Sequence, residues 1–243
     1  MLSEFYEHHP RLRAVIEAVL EGRQGSIRAL EDPPRATRLD LGCYAVPGGD
    51  PASPSARALL AELAGPLEIV VPDDDRWRLL LAEVLGDRIH DRSMQAYVGD
   101  ALDPVRLATQ SAGLPAAYKL AAVRSQEAAA LGGDLSPHGV QVFGGPENFA
   151  RTGYGVCALH AGSPVCAATT YALTTDKAEV AIATSPEHRG KGLATAVGAA
   201  MLAGCLRRGL TPHWNAYNPI SQRLARRLGL TPIGVCEILL LDG

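Results

Sequence analysis

The sequence predicts an α/β (α+β) chain in two parts, a smaller α/β domain over residues 1–113 and a second domain over 114–243. Three observations carry this. The run Glu179-Val-Ala-Ile-Ala-Thr-Ser-Pro-Glu-His-Arg-Gly-Lys-Gly-Leu-Ala194 reads as a strand that breaks at Pro186, crosses a glycine-rich turn and opens into a helix. Tyr154, Val156, Ala158 and His160 alternate, Gly162-Ser163 turns, and Val165, Ala167, Thr169 and Tyr171 alternate back, which is an antiparallel hairpin pattern. Residues 1–112 carry helix and strand patterns with apolar faces of their own, and Gly113-Leu-Pro115 marks a boundary.

In the first part, Leu12, Val15, Ile16, Val19 and Leu20 recur at helical spacing, and Gly22 ends that helix. Thr37 to Val46 reads as a strand and Pro47-Gly-Gly-Asp-Pro51 as a turn. Ser53-Pro54 starts a helix with Leu59, Leu60 and Leu63 on one side. Leu67 to Val71 is a short, mostly buried strand. Asp73 to Leu85 is a helix with Trp77, Leu80, Leu81, Val84 and Leu85 on its inner stripe, and Gly86 closes it. Residues near 88–98 return as a strand.

In the second part, Tyr118 to Val123 reads as a strand, Ser125 can cap the helix after it, and Leu131 to Gly139 is loop-like. After the hairpin, Ala178 to Thr184 is a further strand. A helix from about 191 to 208 follows, closed by Arg207, Arg208 and Gly209. Its Ala- and Gly-rich face allows close packing on the sheet. Thr211 to Asn215 is a strand and 219–228 a helix, capped by Asn218 with Pro219 in its first position. Ile233 to Leu241 is the final extended stretch.

Composition narrows the function classes. Hydrophobic residues make up 47% and charged residues 20%, enough apolar content for a packed core. The net charge of −3 argues against non-specific nucleic-acid binding. No apolar run approaches the roughly 20 residues of a membrane span, and the N-terminus lacks the basic-then-apolar order of a signal peptide. The five cysteines are scattered, and no pair has CxxC spacing. This predicts free thiols in a reducing cytoplasm, with neither a disulfide framework nor a metal site.

The glycine-rich turn carries the chemistry. A strand-to-helix turn of this kind leaves several backbone N–H groups aimed at one spot, and the helix dipole, Arg189 and Lys191 add positive potential there. That is a cradle for a diphosphate. The spacing Arg189-x-x-Gly192-x-Ala194 matches neither GxGxxG nor GxxxxGK[ST]. It resembles the coenzyme A signature of the GCN5-related N-acetyltransferases. Downstream, Asn218-Pro-Ile-Ser221-Gln-Arg-Leu-Ala-Arg-Arg-Leu-Gly229-Leu resembles the second half of that fold. The resemblance covers roughly residues 115–243. Within the superfamily, a bacterial branch with an additional N-terminal α/β domain, associated with zwittermicin A resistance, is similar at AEVAIATSPEHRGKGLAT, CLRRGL and Pro212-His-Trp214-Asn-Ala-Tyr-Asn218.

The resemblance implies a mixed, mostly antiparallel sheet whose fourth and fifth strands are parallel and splay apart around an acetyl thioester. Acetyl-CoA is then the co-substrate. Its pantetheine arm pairs with the fourth strand at Ile182, Ala183 and Thr184. Its diphosphate falls on Arg189, Gly190, Lys191, Gly192, Leu193, Ala194 and Thr195, while Asn218 and Ser221 approach from the neighbouring helix. An amine attacks directly, so a base must take its proton, and strand amides near Ile182 to Thr184 can serve an oxyanion. Glu179, at the start of the fourth strand, is the first choice of base; the alternative is a solvated carboxylate paired with Lys177. The Tyr that many members carry on the last helix is replaced by Ala225, which leaves Tyr217 or His213 as the acid, or either as a packing residue. His188, inside the turn, suits phosphate or solvent contact better than catalysis, and His160 is weaker still. Trp214 belongs to the core or to the acceptor cleft. Cys205 sits at a helix C-terminus, where the dipole raises a thiol pKa, and no GxSxG is present.

The reading is therefore an N-acetyltransferase for a small-molecule amine, an aminopolyol antibiotic or an ordinary metabolite, acting without nucleic acid or membrane and with a homodimer allowed. The alternatives are a catalytically weak acyl-CoA-binding sensor or regulatory module, and a protein or peptide N-acetyltransferase. Residues 1–112 loosely resemble half of an acetyltransferase domain without its coenzyme turn.

Overall fold

The alternating stretches at 154–171 fold as expected into strands β7, Gly155–His160, and β8, Ser163–Leu173, paired antiparallel. Ala161 and Gly162 both take positive φ (49° and 86°), the mirror-image turn whose twist suits adjacent strands. The computed structural model describes residues 2–7, 9–71, 74–132, 135 and 138–243. The expected helix start at Asp73 and part of the loop 131–139 lie outside the described residues.

The chain forms two compact units, residues 1–96 with 234–243, and 97–233. The division falls within β5, Ile89–Val98, and β11, Thr231–Leu241, while Gly113 lies inside the second unit.

In the first unit, strands β1 (Ser26–Arg28), β2 (Ala36–Leu41), β3 (Tyr44–Gly49) and β4 (Leu67–Val70) lie in that order, followed by the end of β11. Helices α1 (Arg13–Leu20), α2 (Pro54–Ala61) and α3 (Asp75–Leu85) fall at the expected periodicities. The stripe of α3, Trp77, Leu81 and Leu85, packs with Leu59 and Leu60 of α2 and with Leu239 and Leu241 of β11. One expectation is corrected here. The stretch read as a single strand to Val46 is a hairpin that turns at Gly42 (φ 59°), and Pro47, Gly48 and Gly49 continue β3 opposite Arg38, Thr37 and Ala36. These glycines are required by close approach. A Cβ on Gly48 would strike the Phe5 carbonyl and the Tyr6 ring, and one on Gly49 the Arg35 carbonyl.

The second unit is built on the sheet order β10-β9-β8-β7-β6, with β6 Lys119–Ala122, β9 Lys177–Thr184 and β10 Thr211–Ala216. All its pairings are antiparallel except β9 with β10. Helix α8, Leu193–Arg207, lies across one face with α9, Pro219–Leu228, beside it. Their core gathers Ala178 and Val180 of β9, Trp214 and Ala216 of β10, and Val197, Met201 and Leu202 of α8. The other face, at β7 and β8, carries α5 (Ser125–Ala130), α6 (His138–Gln141) and α7 (Pro146–Thr152). Helix α7 and a further helix, α4, gave no periodic signal. Phe149 is the sole buried residue of α7, and α4 (Pro104–Ala112) buries only Leu107, although the Asp103 side chain caps α4 by accepting from the Val105 N–H at 2.8 Å. Among the described residues, no helix is long and apolar enough to cross a membrane.

Close packing on α8 is tightest at two glycines. Gly198 meets Leu228 of α9, and Gly204 lies against the Tyr154 ring, which Arg208 covers 3.7 Å from its centroid. A Cβ at Gly204 would overlap the Tyr154 phenol. Gly204→Ala is therefore expected to destabilise by about 1–3 kcal/mol through overpacking. At about 2–4 °C per kcal/mol for a chain of this size, calorimetry should show Tm falling by about 2–12 °C. An unchanged Tm would mean that the Tyr154 ring yields without cost.

Candidate coenzyme groove and acyl-transfer site

The site begins where β9 and β10 part. Their parallel pairing runs from Thr211 with Lys177 to His213 with Glu179 and stops there, while β9 continues to Thr184 and β10 to Ala216. On its other edge β9 stays paired with β8 as far as Thr184, opposite Cys166. The backbone of Val180 to Thr184 on the β10 side is thus freed from sheet pairing, as the splayed-strand expectation requires.

The chain then passes a short 3-10 turn, Pro186–His188, and reaches α8 through Gly190 (φ 75°) and Gly192 (φ 78°). Any other residue would be strained in these left-handed conformations. A Cβ on either glycine would meet open space, the space a phosphate needs. Gly192 is the N-cap of α8, and among the described residues no side chain caps that helix. Its first-turn amides and dipole therefore face the groove without a side-chain acceptor.

This groove has a volume of about 680 Å³, within the range of about 300–1,000 Å³ usual for small-molecule sites. One wall is Ile182 to Thr184 and the turn from His188 to Thr195; the other is the exposed face of α9. Of the twelve residues expected to touch coenzyme, eleven line it: Ile182, Ala183, Thr184, Arg189, Gly190, Gly192, Leu193, Ala194, Thr195, Asn218 and Ser221. Lys191 is exposed and lies outside the lining. Arg189 does more than carry charge, because its Nε donates to the Thr184 carbonyl at 3.0 Å and ties the turn to the end of β9. Asn218 caps α9, its Oδ1 accepting from the Ser221 N–H at 2.9 Å. Ser221 Oγ accepts from Trp214 Nε1 at 3.0 Å, and Trp214 is a core residue. His188 lines the groove and meets the Tyr118 hydroxyl through Nδ1 at 3.0 Å, with the His160 ring 5.0 Å from its own.

The expected catalytic groups sit elsewhere. Glu179, His213 and Tyr217 do not line the groove. Strand parity explains the first two: Ala178, Val180 and Trp214 face α8 and α9, so Glu179, His213 and Asn215 face the opposite side of the sheet. Tyr217 is half-buried just before the Asn218 cap. Glu179 is buried, not a solvated carboxylate, and Lys177 instead pairs with Asp176 at 2.9 Å. Glu179 Oε1 accepts from the Asn215 backbone N–H at 2.9 Å and from Asn215 Nδ2 at 3.0 Å. Burial pushes its pKa up to about 8, although both Asn215 hydrogen bonds pull it down. The carboxyl thus sits at the vertex of the splay. It takes up an N–H of β10 that no strand partner claims beyond His213. Asn215 Oδ1 is buried and keeps no partner among the described residues, leaving an acceptor beside the carboxyl.

Ala225, in the position of the family's usual tyrosine, is fully buried in the core. Cys205 has its pKa pushed up to about 12, chiefly by burial and against the nearby Arg208 charge, which makes it inert. All five cysteines are free thiols. Among the described residues, no group of three or more His, Cys, Asp or Glu could hold a metal ion.

The sequence reading missed Asn215 and the α9 residues Ile220, Arg223, Leu224 and Arg227, all four of which line the groove. The available signals were the two-residue step from His213 to Asn215 on one strand face, and the i, i+4, i+7 stripe along α9.

A parted parallel strand pair beside a glycine-turn helix start is the arrangement that the coenzyme signature implied. A family model described as GNAT acetyltransferase matches residues 6–235. The chain belongs to the GNAT acetyltransferase family. It is similar to a GCN5-related N-acetyltransferase-like protein of Streptococcus suis 89/1591, at TM-score 0.89 and 26% identity over 99% of this chain and 97% of that one. A GCN5-related N-acetyltransferase from Kribbella flavida shares the fold at TM-score 0.63 and 20% identity, over 96% and 95% of the two chains. A relative described as the uncharacterized N-acetyltransferase YdfB of Bacillus subtilis (strain 168) is 36% identical over 87 residues, a match that spans 35% of this chain and 33% of the relative. The match to the S. suis protein over nearly its whole length covers both units of this GNAT protein, not the second alone.

Proposed function

We propose that this GNAT protein transfers the acetyl group of acetyl-CoA to the amine of a small molecule, by direct attack within a ternary complex. The observation that carries the reading is the groove itself. It opens where β9 and β10 part, ends at the start of α8, and among the described residues is lined by three arginines and no carboxylate.

In this reading Arg189, Gly190, Gly192 and the first turn of α8 hold the diphosphate, with Lys191 adding charge from outside the lining. Ile182 to Thr184 offer backbone groups to the pantetheine arm, opposite Asn218 and Ser221. The coenzyme, when bound, supplies an acetyl thioester. Backbone N–H groups of Ile182 to Thr184 stabilise negative charge that develops on the carbonyl oxygen. The amine arrives from the sheet face that carries Glu179, His213 and Asn215. It is mostly protonated at neutral pH, and Glu179, held by Asn215, takes its proton directly or through a water at Asn215 Oδ1. A carboxyl whose pKa lies near 8 is suited to that exchange. His213 and Tyr217 are the nearby groups whose chemistry allows a proton to be returned to the departing thiolate. A thiolate leaves with little help, so replacement of the usual tyrosine by Ala225 is tolerable. The branch resemblance suits an aminopolyol as acceptor, and an ordinary metabolite amine fits equally well.

One observation favours a second reading, a catalytically weak acyl-CoA-binding module: Ala225 leaves no hydroxyl at the usual acid position. Thiol release from acetyl-CoA, measured against a panel of aminopolyols, simple amines and peptide amines, separates the two. Amine-dependent release with intersecting initial-rate lines is expected. Tight acetyl-CoA binding with no release for any amine would favour the sensor, and release with peptides alone would favour a peptide acetyltransferase.

A further inference from the structure

Two cations in the groove are left over once the diphosphate is accounted for. Arg223 and Arg227 stand four residues apart on the exposed face of α9, so their side chains project from the same side of that helix. Both line the groove on the wall opposite the glycine turn, with the half-buried Leu224 between them and the exposed Ile220 one turn earlier. Neither guanidinium has an ion pair or side-chain hydrogen bond among the described residues. The helix end that carries them is anchored, because the Arg227 carbonyl accepts from Arg106 at 2.6 Å and from Gln110 at 2.8 Å, both on α4. Among the described residues, no aspartate or glutamate lines the groove to neutralise these charges.

The turn amides, the α8 dipole and Arg189 already provide for a diphosphate. A pair of guanidinia across the groove from Arg189 calls for a second anion on the same ligand, and a phosphomonoester matches two neighbouring planar donors best. On the coenzyme, that group is the 3′-phosphate of the adenosine. We propose that Arg223 and Arg227 clamp the 3′-phosphate, so that the protein takes free acyl-CoA as donor and discriminates against donors lacking this group, such as dephospho-coenzyme A and pantetheine-borne acyl groups. The inference rests on the coenzyme reading above.

The test is binding, measured by calorimetry with coenzyme A and 3′-dephospho-coenzyme A, on the wild type, Arg223→Ala, Arg227→Ala and the double variant. Both side chains are exposed, so the variants keep the fold, and circular dichroism checks this. Wild type is expected to bind coenzyme A about 10–100-fold more tightly than the dephospho form, the range of a charge-assisted contact. Each single variant loses part of that ratio. The double variant binds both ligands alike, with its affinity for the dephospho form within a few-fold of wild type. Equal binding of both ligands by wild type, or a preference that survives in the double variant, overturns the clamp and leaves the coenzyme reading intact. Binding of neither ligand by wild type overturns both.

Discussion

Glu179→Gln is expected to lower kcat/KM for the best amine by about 100-fold or more, the usual contribution of a positioned base, while the protein stays folded. Glutamine keeps an oxygen where Glu179 Oε1 accepts from the Asn215 backbone and side chain, so the vertex of the splay survives. What is lost is the ability to hold a proton. In the wild type, kcat/KM should rise with pH through about 8, the value to which burial raises this carboxyl. The variant should lose that limb and keep only the rise from the amine's own ionisation. Glu179→Ala should do worse in a different way. It leaves two Asn215 donors unpaired in a buried setting, at about 1–3 kcal/mol of stability.

The same carboxyl makes stability depend on pH. Its folded pKa lies above its ordinary 4.5, so the folded state keeps a proton that the unfolded chain has already released. Its contribution is fully present below 4.5 and is lost as pH rises through about 8. Glutamine does not titrate. The Tm of Glu179→Gln relative to wild type should therefore climb across that window, and a flat difference would mean that Glu179 is ionised in the folded protein. Full turnover in the Gln variant would make Glu179 a brace for the splay and move the base elsewhere.

The second large effect belongs to Arg189. Arg189→Glu is expected to weaken acetyl-CoA binding at least about 100-fold. It removes a charge-assisted contact of about 1.5–3 kcal/mol and sets a carboxylate against the diphosphate. It also cuts the hydrogen bond from Nε to the Thr184 carbonyl that ties the turn to β9. The side chain is exposed, so the loss should appear in affinity and not in the Tm of the free protein. An affinity within about threefold of wild type would mean that the turn amides alone hold the ligand.

The groove wall was legible because local signals agree there: a strand that breaks at Pro186, glycines at the positions that need positive φ, and a helix that opens directly after them and closes at Arg207, Arg208 and Gly209. Asn218-Pro219 announced α9 in the same way. The first unit was less legible where glycine had two meanings. Pro47-Gly48-Gly49 has turn composition, yet its glycines are there for close approach to residues 5, 6 and 35, contacts that no local window contains. Gly42-Cys43, which does turn the chain, lacks the usual Asn-Gly or Asp-Gly signature. In the site, parity gave the face of Glu179 but not its depth. Its burial and its contact with Asn215 arise where two strands part, and that parting is a property of the pair. Arg223 and Arg227 read as an ordinary basic helix end, because only the groove shows what they face.

The central claim is that this groove holds acetyl-CoA, and thermal unfolding with and without the ligand tests it most directly. A ligand bound only to the folded state at about 100 times its Kd stabilises by about 2.7 kcal/mol, which for a chain of this size is a Tm rise of about 5–11 °C. That rise is expected in wild type, and its loss is expected in Arg189→Glu at the same concentration. An unchanged wild-type Tm at saturating acetyl-CoA would contradict it.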